Sequence, residues 1–191
     1  MKFLQVATCP DWARQLESAG DKILLDHTHW EKDSASWCLK LLLAYCDNES
    51  LSIAMSNLIT QKLSRFQQMR ELITSLGIGF RRQQPIGYDK RLKQLIVKKE
   101  PGRVVDRLLI SALQEARSYE RFALIAEKIE DTTIAQRYLT FVENDPKNYV
   151  TFIDLAKDYQ DELTISKRLD ELAAYEASLI NEGGAKPRLH S

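Results

Sequence analysis

Four long stretches of the chain carry apolar residues at alternating steps of three and four, and no stretch alternates polar with apolar at a period of two. That pattern admits only helices that bury one face against other helices, so the chain is predicted to be all-α. The spacing predicts a short helix at 10–18, opened by Pro10, then long helices over 21–46, 50–76, 104–128 and 133–159, and a last helix over 162–181. DNES separates the first two long helices, and a short interruption separates the third from the fourth, so each pair is expected to be an antiparallel hairpin. Between the pairs lies segment 77–103, with glycines and prolines at both ends and one short helix near 90–97. Two hairpins joined by a long crossover make a four-helix bundle of the ferritin-like kind, with short N-terminal and C-terminal helices added. One domain is expected over 1–181, followed by a tail over 182–191, EGGAKPRLHS, whose glycines, proline and small polar residues predict flexibility.

Charge narrows the functional classes. The 191 residues hold 27 basic and 27 acidic side chains, so any nucleic-acid contact must come from a local patch and not from the net field. The start, MKFLQVATCPDWARQ, has too short an apolar run for a secretory signal or a membrane span, which predicts a cytoplasmic protein. Cys9, Cys38 and Cys46 are odd in number and form no CxxC pair, which argues against a disulfide framework or a thiolate zinc site. Of the histidines, His190 falls in the tail, leaving His27 and His29 in LDHTHWEKD as candidates for buried chemistry.

Written as seams, the four long helices read Leu24, His27, Glu31, Ser34, Cys38, Leu41, Tyr45; then Leu51, Met55, Leu58, Lys62, Arg65, Met69, Leu72; then Val105, Leu108, Ala112, Glu115, Tyr119, Phe122; and Ile134, Tyr138, Phe141, Asp145, Asn148, Phe152, Leu155. Each is apolar at its ends and polar in its middle. Isolated charges in such a layer would each cost several kcal/mol, so His27, Glu31, Ser34, Lys62, Arg65, Glu115, Asp145 and Asn148 are expected to form one paired cluster. The layout matches a di-iron centre, in which two helices each give a Glu and two each give Glu-x-x-His. Glu31 and Glu115 fill the single-carboxylate positions, and Asp145 offers a shorter carboxylate. At the pairs, however, Lys62 and Arg65 are cations with no lone pair for a metal, and Asn148 stands where an imidazole is needed. Pro146 is expected to kink or restart the fourth helix beside them. The three carboxylates therefore face two fixed cations, a charge balance that side chains can supply with no metal at all.

The stretches LLDHTHWEKDSASWCLKLL, MSNLITQKLSRFQQMRELITSLGI, EPGRVVDRLLISALQEARSYERFALIAEKI and RYLTFVENDPKNYVTFIDLAKDY resemble, in order and spacing, the bacterial tRNA isopentenyladenosine hydroxylases, the MiaE family. The resemblance covers residues 20–160, and EARSYERF carries most of it. It implies a ferritin-like bundle whose di-iron centre uses O₂ to hydroxylate the prenyl group of a modified adenosine beside the tRNA anticodon. By position, Glu31 and Glu115 match retained ligands, Glu120 falls off the seam, and the two Glu-x-x-His pairs fall on Lys62/Arg65 and Asp145/Asn148. Four of the six ligand positions are thus replaced.

The crossover adds Arg81, Arg82, Lys90, Arg91, Lys93, Lys98 and Lys99, with Phe80 and Tyr88 between them, as candidate contacts to RNA phosphates and bases. Three readings follow: a family scaffold that has lost its metal, needs no cofactor and binds tRNA rather than DNA or a membrane; an iron-dependent hydroxylase using Glu31, Glu115, Asp145 and His27; or a protein-interaction bundle. Oligomeric state is left open.

Overall fold

The computed structural model describes residues 3–84, 87–144, 147–184 and 186–191. Among them every regular element is helical: α1 (Pro10–Ala44), α2 (Glu49–Ser75), α3 (Tyr88–Lys93), α4 (Gly102–Lys128), α5 (Thr132–Glu143), α6 (Asn148–Ala156) and α7 (Glu162–Glu182). The chain divides into two compact units, Ala19–Gln84 and Met1–Ser18 with Pro85–Ser191. The division enters α1 at Ala19, whose φ of −149° and ψ of 27° break the helix and separate the expected 10–18 segment from the long helix that follows.

The Ala19–Gln84 unit is the remainder of α1, α2 and an extension. Asn48 begins α2 by accepting the Leu51 amide at 2.8 Å, one of the backbone donors that a helix start leaves unsatisfied. At the other end Gly77, at φ +72°, allows the Ile78 amide to reach the Ile73 carbonyl (2.8 Å) and its own amide to reach Thr74 (3.0 Å). That closure turns the chain back along the hairpin. Contacts of Ser52 with Cys46, Lys62 with Glu31, and Gln83 with Lys22 then run in reverse order along the two strands of chain, so the helices are antiparallel, as expected.

In the other unit α4 packs against α5, α6 and α7, and α3 lies against α7 and α4. Leu108, Leu109, Ile110, Ala112 and Leu113 are fully buried on successive positions of α4, so this helix is covered on all sides, and each large apolar side chain contributes roughly 1.5–3 kcal/mol. Phe122, Tyr138 and Phe141 meet as an aromatic cluster with ring centroids 5.6–6.2 Å apart, locking α5 to α4. Asp131 and Asp161 cap α5 and α7 through the Ile134 and Thr164 amides, both at 3.0 Å.

The single helix expected over 133–159 is two, α5 and α6, with Lys147 at φ +55° immediately before α6. Asp145 and Pro146 lie outside the described residues. The tail departs from expectation more sharply. Leu189, His190 and Ser191 are buried, because Arg121 donates to the carbonyls of Leu189 and Ser191, both at 3.0 Å, and His190 stacks on Tyr88 with centroids 4.9 Å apart. Its small and polar residues are held by a buried guanidinium that composition does not reveal.

Candidate functional site

His27 and Glu31 are one turn apart on α1 and both fully buried; the imidazole Nε2 lies 2.9 Å from Glu31 Oε1. From α2, the Lys62 ammonium reaches to 3.7 Å from Glu31 Oε2 with the lysine only 1% exposed. Arg65, one turn further on, is 5% exposed. The stems therefore do not snorkel to solvent. At 3.7 Å the Lys62–Glu31 contact is an ion pair and not a hydrogen bond, and Oε2 accepts no hydrogen bond.

Electrostatics follows from that geometry. Burial alone would push the Glu31 carboxyl upward, but the Lys62 charge, the His27 hydrogen bond and the Arg65 charge outweigh it and hold the group at about 2. His27 is also lowered from its usual value, but for a different reason: burial depresses it, reinforced by Arg65 and Lys62, and the neighbouring Glu31 only partly opposes this. A neutral imidazole donating from Nε2 to a carboxylate is the state that satisfies both groups. His29, the second histidine of the motif, faces elsewhere and bonds the Arg81 carbonyl at 2.8 Å.

In the other unit Glu115 is 8% exposed and Asn148 3% exposed, and the Asn148 amide donates weakly to Glu115 Oε2 at 3.4 Å. This contact brings together the α4 carboxylate and the first residue of α6.

Glu31 faces an ammonium, its histidine neighbour is already bonded to it, and Asn148 offers Glu115 an N–H. Among the described residues no group of three or more His, Cys, Asp or Glu side chains could hold a metal ion.

Sequence reasoning missed a second buried polar cluster. Arg117 is fully buried and grips Glu176 of α7 through Nε–Oε1 and Nη2–Oε2, both 2.8 Å, in the fork geometry that suits guanidinium and carboxylate. Tyr88 donates to the same carboxylate at 3.1 Å. Tyr88 was a candidate base-stacking residue; it is 5% exposed and packed between Glu176 and His190, so it is corrected to a core residue. Burial, with Glu176 beside it, drives its hydroxyl well above the usual tyrosine range. Ser118 bonds His190 at 3.0 Å, and Glu120 accepts from the amide (2.9 Å) and hydroxyl (2.8 Å) of Thr8. Arg121 donates to Thr8 Oγ1 at 2.7 Å and lies 4.1 Å above the Trp12 ring. Burial depresses Arg121 to about 9, with Arg117 adding to the effect. The signal was available: charged residues at 115, 117, 120 and 121 on a helix with no polar face must find buried partners.

Of the basic crossover candidates, Arg81 and Arg82 are exposed in the Ala19–Gln84 unit. Lys90, Lys98 and Lys99 are exposed in the other, where Arg91 pairs with Glu182 and Lys93 with Asp89.

An all-helical chain with acidic residues buried at mid-helix, matched over its full length by an oxygenase structure, is a protein of the ferritin-like class. That structure, described as Protein 43 with aldehyde deformylating oxygenase activity from Synechococcus, shares 30% identity at a TM-score of 0.94 and covers 100% of this chain and 96% of its own. The chain belongs to the MiaE family, tRNA-(MS[2]IO[6]A)-hydroxylase, whose model matches residues 1–191. Two tRNA 2-(methylsulfanyl)-N(6)-isopentenyladenosine(37) hydroxylases are similar to it. The Pseudomonas putida protein is 29% identical over 99% of this chain and 92% of its own length. The Salmonella typhimurium protein is 31% identical over 70% of this chain and 49% of its own length.

Proposed function

We propose that this chain is a MiaE-family protein in which ion pairs take the place of the metal, so that it binds tRNA without hydroxylating it. The observation that carries the reading is the Lys62 ammonium buried against Glu31. A divalent ion at Glu31 would have to displace or neutralise that ammonium in a site shielded from water, where like charges repel strongly. Within the Ala19–Gln84 unit, His27, Glu31, Lys62 and Arg65 are a buried polar cluster built from side chains alone. No described helix is long and apolar enough to cross a membrane. A tRNA partner assigns the protein's work to the cytoplasm.

The curated relatives favour a rival reading, an active O₂-dependent hydroxylase of the same nucleoside. Metal analysis separates the two. Protein produced in iron-supplemented cells is expected to hold iron and manganese far below one ion per chain and to leave isopentenylated tRNA unchanged in air with a reductant. Stoichiometric iron that is lost in Glu31→Ala, or hydroxylated nucleoside in the tRNA digest, would overturn the proposal.

A further inference from the structure

Gly77 ends α2 and directs residues 78–82 back over the hairpin, where Phe80 enters a layered contact. The His29 ring stacks on Phe80 with centroids 4.5 Å apart and planes 23° from parallel; Phe66 meets Phe80 edge-on at 5.9 Å. The Arg70 guanidinium carbon lies 4.1 Å from the Phe80 centroid. The Arg81 carbonyl is engaged by His29 at 2.8 Å, and the Gln83 side-chain amide donates to the Lys22 carbonyl at 3.2 Å, so Arg82 lies between two residues tied to α1.

Three features of this layer are not explained by packing. Phe80 remains 37% exposed although it is the centre of the contact. Arg70 Nη1 is out of solvent and donates to no acceptor, an orphaned charged donor beside an aromatic face. Arg81 and Arg82 are both exposed beside this layer in sequence. Cations next to a part-exposed aromatic are what a single-stranded nucleic acid needs. Phosphates neutralise the arginines, and a splayed base extends an existing stack.

We propose that Phe80, His29 and Arg70, with Arg81 and Arg82, form the contact for an unpaired RNA loop, the arginines on consecutive phosphates and the Phe80 layer against a base. This rests on the tRNA-binding reading above and assigns that binding to the Ala19–Gln84 unit.

The test is fluorescence-anisotropy titration of the full chain with an unmodified anticodon stem-loop RNA at several salt concentrations. Arg81→Ala/Arg82→Ala, both surface changes, is expected to weaken binding roughly tenfold or more and to reduce the salt slope by about 1.4 for two lost phosphate contacts on a single strand. Phe80→Leu, which keeps an apolar side chain, is expected to weaken binding while leaving the salt slope unchanged. Unchanged affinity in the double variant, or a loss confined to Lys98→Ala/Lys99→Ala, would overturn this assignment and leave tRNA binding standing. Absence of binding by the unaltered protein at low salt would remove the tRNA reading itself, and this contact with it.

Discussion

The Lys62 ammonium lies 3.7 Å from Glu31 Oε2, and neither side chain reaches solvent. Removing one partner of such a pair leaves the other charge buried and uncompensated. Lys62→Ala is therefore expected to destabilise the chain by about 3–5 kcal/mol in urea denaturation. A change under about 0.5 kcal/mol, the scale of an exposed pair, would mean that Lys62 is not held as described.

Acid should act on the same cluster. Glu31 is held at about 2 when folded against an ordinary 4.5, so its contribution is present above pH 4.5 and lost as pH falls toward 2. The difference corresponds to an order of magnitude of about 3 kcal/mol. His27, depressed in the fold from 6.5, adds in the same direction, because the unfolded chain takes up its proton first as pH drops below that value. Stability measured between pH 7 and 3 is expected to fall in two stages, and His27→Gln should remove the earlier one. A profile flat to pH 4 would contradict the buried neutral imidazole.

The proposed replacement of a metal by ion pairs also predicts a gain of function. The quadruple variant Lys62→Glu, Arg65→His, Asp145→Glu and Asn148→His is expected to gain iron measurable by metal analysis, since it puts Glu and His at the positions that the proposal reads as replaced ligands. No gain in a folded quadruple variant would count against that reading of these four positions.

The second buried pair makes a separate demand. Glu176→Ala leaves the Arg117 guanidinium without its forked partner in the core, and a loss of about 3–5 kcal/mol is expected from denaturant midpoints. Glu176→Gln, which preserves shape and one acceptor, should cost less. Equal effects would show that volume and not charge governs the site.

How far the sequence was legible depends on which residues report their own surroundings. The burial of Lys62 and Glu31 follows from a seam whose flanking positions are apolar, because a charge there has few places to go. The all-helical class and the antiparallel α1–α2 hairpin followed from the same periodicity. Arg117 and Glu176 were not paired in advance, since α7 has no polar seam that singles out Glu176 and the partners are far apart in sequence. The tail was misjudged because flexibility was inferred from its own composition, whereas Arg121 on a distant helix decides its order. Tyr88 failed for a related reason: basic neighbours in sequence suggested a surface, but its hydroxyl belongs to the α7 carboxylate.

The stretch EARSYERF, the most specific of the family signatures, spends Arg117, Ser118, Glu120 and Arg121 on fastening Val6, Thr8, Glu176 and residues 189–191 to α4. A fingerprint of this kind certifies the scaffold, because its charged residues fasten one helix to both ends of the chain.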